Sequence, residues 1–174
     1  GRGIRLGIIG RNGGGKTTVF RPWLGLRKPD AGSIEIFCAS PASISGNSGY
    51  GPQVSTLRPD FPATVRDTVL MGGARTSLFG GSWNRTKQAR QRALEYLDVL
   101  GLAENAGRPI GSLSGGQRQR ALVARALMSK PVPAGNGEEP PFLLLLDEPT
   151  ASIDPQGKFC FYEFLGDIRG SITI

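Results

Sequence analysis

Gly10-Arg-Asn-Gly-Gly-Gly-Lys16-Thr17, entered from the apolar run Ile4 to Ile9, decides how the chain is read. It has the form GxxxxGK[ST]. To wrap a phosphate chain, successive backbone N–H groups must point inward, through conformations that only glycine adopts cheaply. A helix opening near Gly15 adds unpaired N-terminal amides and a dipole that favours an anion. Lys16 supplies a mobile positive charge for β- and γ-phosphates, and the Thr17 hydroxyl can ligate Mg²⁺. With 26 glycines in 174 residues, a shuffled chain carries this pattern roughly once in seventy. The context lowers that chance: the run ending at Gly10 predicts a buried strand turning into a helix.

A second decisive stretch is Phe142-Leu-Leu-Leu-Leu146, running into Asp147-Glu148-Pro149. Continuous apolar residues mark a strand buried on both faces of a parallel sheet. Ligands of such sheets sit at the carboxyl ends of the strands, so both acids are expected at the edge where the glycine loop lies. One carboxylate can hold Mg²⁺, directly or through water; the other can orient or deprotonate an attacking water. Taken alone, two acids that merely punctuate a strand end are the commoner reading; beside the glycine loop the functional reading prevails.

Between these stretches Ser33 to Phe37 reads as a strand, by the alternation of Ile34 and Ile36 with Ser33 and Glu35. Cys38 to Gly49 reads as a loop. Asn84 to Leu100 predicts a helix with Ala89, Ala93, Leu97 and Leu100 inward and Gly101 as its stop. Gln117 to Lys130 predicts another, ended by Pro131, followed by an exposed loop to Pro141. Asp154 to Arg169 predicts a helix and Ser171 to Ile174 a strand. Pro22 falls inside the first helix and predicts a kink or an early end. Strands alternating with helices give an α/β class.

Composition closes off several chemistries. Histidine is absent, which removes triads and imidazole metal sites. Cys38 and Cys160 stand far apart, so a disulfide framework or zinc site is excluded. The longest uncharged apolar run, Pro140 to Leu146, is far short of the ~20 residues of a bilayer span. A net charge of +7 suits anionic partners. The excess lies in two acid-free stretches, Arg75 to Arg92 and Arg108 to Lys130, read as solvated helix faces or as phosphate-attracting surfaces.

Leu113-Ser114-Gly115-Gly116-Gln117 precedes the second basic helix. Ser114 is a good N-cap, and glycine amides at a helix start form a second anion site or simply a flexible cap. About one shuffled chain in a thousand would contain this pentapeptide. Gly10 to Thr17, Gln53, Leu113 to Gln117, Leu143 to Glu148 and Ser152-Ile-Asp154 stand in the order and approximate spacing of the ATP-binding cassette (ABC) transporter ATPases. The chain resembles that family over nearly its whole length.

The resemblance implies a P-loop NTPase three-layer sandwich with a mostly parallel core sheet. It implies one domain over 1–174, with a helical subdomain inserted at about 54–125. Gly10, Arg11, Asn12, Gly13, Gly14, Gly15, Lys16, Thr17 and Thr18 would cradle the phosphates of ATP. Thr17, Gln53 and Asp147 would hold Mg²⁺, Glu148 would be the catalytic base, and Gln53 would also touch the attacking water. Leu113 to Gln117 would face ATP held by a second subunit, with Ser114 and Gly116 on its γ-phosphate, in a head-to-tail homodimer or pseudo-dimer. Asp154 would lie in the loop crossing that interface. A transmembrane permease would be the partner, placing the protein in the cytoplasm on the inner face of the membrane without insertion into it. Pro59 to Gly72 is similar to the zinc/manganese-type metal importers, which implies metal-ion import.

The chain departs from the family in three places. Its loop from Pro131 to Pro141 is longer than the family's usual connection. The aromatic residue that stacks on adenine has no counterpart before Gly10, and no switch histidine follows Ser171 to Ile174. The expectation is a domain truncated at both ends, with weak adenine recognition and little or no turnover by itself. The competing expectation is a non-transport ATPase of the same superfamily acting on nucleic acid or ribosomes. The net charge favours it, and the lack of long coiled-coil heptads opposes it.

Overall fold

The structure is a computed structural model that describes residues 4, 6–8, 11, 14–52, 60–76, 86–131, 140–151, 153, 155–167 and 172–173. Its framework is a parallel sheet of β1 (Ser48–Gly51), β2 (Phe142–Leu146) and β3 (Ile172–Thr173), in that spatial order. Ser48 pairs with Leu143 and Gly51 with Leu146 on one side of β2, and Phe142 with Ile172 on the other. A central strand of this kind has no solvent face, which is why it reads as unbroken leucine.

Side-chain alternation along β2 splits the interior into two clusters. Leu143 and Leu145 join Phe20, Leu24 and Ile44, under helix α1 (Lys16–Trp23). Phe142 and Leu144 join the larger cluster, built from α2 (Val65–Leu70), α3 (Lys87–Val99), α4 (Gly115–Leu127) and α5 (Pro155–Asp167). Helices therefore cover both faces of the sheet. Full burial of a side chain such as Leu97, Leu122 or Phe142 contributes about 1.5–3 kcal/mol each.

The helices form where their ends are chemically marked. Thr64 caps α2 through a reciprocal capping box with Asp67, its hydroxyl accepting from the Asp67 N–H at 3.1 Å. Thr86 caps α3, and Gly101, at φ 64°, ends it in the left-handed turn expected of a glycine stop. Ala89, Ala93, Leu97 and Leu100 are all buried, as their spacing predicts. Helix α4 starts two residues before Gln117 because Ser114 caps it, and it is buried nearly all round between the other helices and the sheet. Helix α1 ends at Trp23, one residue past Pro22, with Gly25 at φ 69° beyond it. The proline thus sits in the last turn and marks an early end.

Three sequence expectations change. Ile4, Leu6, Gly7 and Ile8 are not in a strand, and Ile4 and Leu6 are 51 % and 64 % exposed. The sheet of described residues holds no partner for their backbone groups. Ser33 to Phe37 is not a strand either. Only Ile36 bridges, antiparallel to Ala39, across a two-residue turn at Phe37 (φ 56°) and Cys38 (φ 63°). Both φ values are those of the type I′ hairpin turn. The segment read as a loop to Gly49 instead ends in a strand, β1, entered through a single 3₁₀ turn at Ser45–Asn47.

Strand β1 owes its place to glycine. A Cβ on Gly49 would collide with the Ala126 carbonyl of α4, and one on Gly51 would lie 2.8 Å from the Leu146 side chain. Gly72 meets the Arg125 carbonyl in the same way. The backbone of α4 therefore lies directly on β1 and on the turn after α2. Gly49→Val is expected to destabilise the fold by about 2–3 kcal/mol or to prevent it, through overpacking. Thr64→Ala should cost about 1 kcal/mol through the lost cap. Urea denaturation followed by circular dichroism measures both, and a native midpoint for Gly49→Val would contradict the close approach.

Candidate functional site

At the start of α1, Gly14 and Lys16 both meet the backbone of Arg11. The Arg11 carbonyl accepts from the Gly14 N–H at 3.0 Å and from the Lys16 ammonium at 3.0 Å. A Cβ on Gly14 would stand 2.9 Å from that carbonyl, so this position requires glycine. Gly15, at φ 80°, turns the chain into the helix. No side chain caps α1, and no acid occupies its first turn. Its N-terminus presents the positive end of the helix dipole, which suits an anion.

Across from it, β2 delivers Asp147 and Glu148 at its carboxyl end. The Asp147 N–H donates to the Gly51 carbonyl at 3.0 Å, continuing the ladder one residue past the strand. Asp147 is buried, and Glu148 adopts a left-handed φ of 47°. Such a conformation in a residue other than glycine costs on the order of 1 kcal/mol and is found at functional turns. Tyr50 of β1 donates its hydroxyl to Asp147 Oδ2 at 3.4 Å. Burial, with Asp147's negative charge as the next cause, raises the Tyr50 pKa and keeps this phenol in its donor form, while Arg21 opposes the shift.

Lys16, Asp147 and Glu148 share one cavity of about 430 Å³. Lys16, Phe20 and Trp23 line it from α1, Leu143 to Leu146 from β2, and Asp147 and Glu148 from the strand end, with Leu6 to Ile8 and two residues of α5 closing it. A cation for phosphate and two carboxylates thus converge on a single space. Among the described residues there is no group of three or more His, Cys, Asp or Glu able to form an all-protein metal site. Hard carboxylate oxygens that share a cavity with a lysine instead match Mg²⁺, which takes one or two carboxylates and completes its shell with phosphate oxygens and water. The residues present fit that ion.

Leu113 to Gln117 lie apart from this cavity's lining. Ser114 Oγ accepts from the Gln117 N–H at 3.2 Å, and Gln117 Oε1 accepts from the Ser114 N–H at 3.0 Å. Arg118 holds the turn from behind by donating to the Gly111 and Leu113 carbonyls. No acid occupies the first turn of α4. The helix runs antiparallel to β1, with Ala126 over Gly49 and Leu122 near Gly51. Its N-terminus therefore projects about 12 Å beyond Leu122, toward the carboxyl edge of the sheet where Asp147 emerges.

Of the predicted site residues, Arg11, Gly14, Gly15, Lys16, Thr18, Asp147, Glu148 and the whole Leu113–Gln117 turn are described. Gly10, Asn12, Gly13, Gln53 and Asp154 lie outside the described residues, as does the side chain of Thr17. Sequence reasoning missed Tyr50. The one local cue is the pattern Gly49-Tyr-Gly51, where two glycines flank the tyrosine, and nothing in it points to Asp147.

Comparison with known proteins is consistent along the chain. A relative from Chlamydia muridarum, named "Probable metal transport system ATP-binding protein", is 39 % identical over 169 residues, covering 97 % of this chain and 66 % of that protein. The zinc uptake system ATP-binding protein ZurA of Listeria innocua is 36 % identical over 172 residues, covering 97 % of this chain and 62 % of ZurA. The chain spans less than two-thirds of the length of these and similar curated relatives, from 54 % to 66 %. Among solved structures, CbiO1 from Clostridium perfringens, part of the ABC transporter complex CbiONQ, has a TM-score of 0.72 at 27 % identity, over 99 % of this chain and 66 % of that one. MJ0796, a bacterial ABC transporter cassette solved as a dimer, shares the fold with a TM-score of 0.77 at 24 % identity, over 99 % of this chain and 74 % of that one. The profile of the family described as ABC transporter matches residues 1–151, across both the glycine loop and the carboxylate pair, and the chain belongs to that family.

Proposed function

We propose that this chain is the ATP-binding and hydrolysing part of a transporter that moves metal ions, as an importer, through a separate membrane permease. The observation that carries the reading is the convergence of Lys16 with Asp147 and Glu148 on one cavity at the carboxyl edge of β2. The named relatives serve metal and zinc transport, which favours transport over action on nucleic acid. No helix among the described residues is long and apolar enough to cross a membrane, so the path for the ion is assigned to the permease.

In this reading the amides of Gly14 to Thr18 bind the phosphates and Lys16 neutralises them. Asp147, with the Thr17 hydroxyl and Gln53, holds Mg²⁺. When bound, that ion screens the charge on the phosphate oxygens. Glu148 accepts the proton of the attacking water, which Gln53 helps orient. Phosphoryl transfer needs little covalent help, so these residues act by positioning and by charge. Ser114 and Gly116 serve the γ-phosphate of ATP held by a partner copy, head to tail, and Asp154 lies in the loop between the copies. Docking on the permease holds the assembly at the inner face of the membrane.

Two substitutions test the assignment. Lys16→Ala is expected to weaken ATP binding about tenfold or more, read by titration with a fluorescent nucleotide. Glu148→Gln should keep that affinity and lower phosphate release by about 10²-fold or more, the scale of a lost general base. Unchanged turnover in Glu148→Gln, measured with the permease present, would clear Glu148 of the role.

A further inference from the structure

Tyr50 stands where two parts of the site meet. Gly49 and Gly51 face α4, so the alternation of the strand turns Tyr50 to the opposite side of the sheet, toward α1. There its ring meets Phe20 edge-on, with centroids 6.4 Å apart and planes at 69°. Phe20 in turn packs on Trp23, 6.1 Å away. The other end of the same side chain, the hydroxyl, donates to Asp147 Oδ2 at 3.4 Å. One residue thus touches both the helix that begins at Lys16 and the buried carboxylate across the cavity from it.

This arrangement answers a specific need. Asp147 follows the last residue of β2, where the ladder holds its N–H and Tyr50 meets its side chain. A carboxylate that is to receive a metal must present its oxygens in one orientation, and partners outside the ligand set commonly provide it. The hydroxyl–carboxylate distance is longer than the roughly 2.7 Å of a closed bond, so the contact can tighten as the carboxylate shifts. Phe20 fixes the ring from behind, so the hydroxyl has a defined place from which to act.

We propose that Tyr50 is a positioning residue that orients the Asp147 carboxylate for the Mg²⁺–nucleotide complex and ties that carboxylate to the phosphate-loop helix through Phe20. The inference rests on the reading of Lys16 and Asp147 as a Mg²⁺–nucleotide site. Tyr50 does not touch the phosphates; it acts through Asp147. Phenylalanine at this position keeps the ring packing and removes only the hydroxyl.

The test measures binding, not turnover. A fluorescent ATP analogue is titrated into the full chain with Mg²⁺ and again with EDTA, and the ratio of the two affinities is the gain due to the metal. Tyr50→Phe is expected to reduce that gain threefold to tenfold while the affinity in EDTA stays within twofold of the native value. Asp147→Asn should abolish the gain, and the double variant should lose no more than Asp147→Asn alone, since coupled partners are not additive. A full gain in Tyr50→Phe overturns the proposal, as does a double variant whose losses multiply. A fall in EDTA affinity together with a lower melting temperature in Tyr50→Phe also overturns it, because that is the mark of a packing role. A native chain that binds nucleotide without any gain from Mg²⁺ overturns the reading of Asp147 itself, and the role of Tyr50 with it.

Discussion

A helix can rest its backbone on a strand only where the strand has no side chains to hold it away, and β1 meets that condition at Gly49 and Gly51 beneath α4. Much of the molecule follows from this contact. It seats β1 against β2 in a register that carries the Asp147 N–H to the Gly51 carbonyl. It also sets the path of α4, whose capped N-terminus is carried past the same edge of the sheet. The carboxylate pair and the Leu113–Gln117 turn are therefore linked through one tightly packed junction. Protein interiors of this density pass displacements on rather than absorbing them.

The two glycine-rich turns solve one chemical problem in different ways. At Gly14 and Gly15 the backbone bends around the Arg11 carbonyl, which holds the lysine ammonium. At Ser114 the first turn of α4 is closed by a reciprocal box with Gln117 and braced from behind by Arg118. In both, the first turn of the helix carries no acid. The first shares a cavity with Asp147 and Glu148, and the second stands away from it.

The left-handed turn at Glu148 belongs to the same design. Continued along the strand, Asp147 and Glu148 would point to opposite faces of the sheet, yet both line the same cavity. The buried Asp147, held by the ladder and by Tyr50, and Glu148, swung into the following turn, are set on different backbone paths. The Glu148 carbonyl accepts from the Ala151 N–H at 3.1 Å, which steadies that turn. Adjacent residues of one chemical type are thereby given different surroundings.

The order of the motifs, the two-face burial of Phe142 to Leu146, the inward stripe of Ala89, Ala93, Leu97 and Leu100, and the Ser114 cap were all readable from the residues. Each depends on local periodicity or on the chemistry of a few neighbouring groups. Tertiary structure decided what depends on a partner. Ile4 to Ile8 and Ser33 to Phe37 have the apolar pattern of strands but lack a described strand beside them, and a β-ladder needs two sides. Ser48 to Gly51 has a poor strand composition and forms one regardless, because only glycine fits beneath α4. Tyr50 gained its place in the site in the same way: its hydroxyl reaches Asp147, 97 positions along the chain, a distance that no local pattern in the sequence encodes.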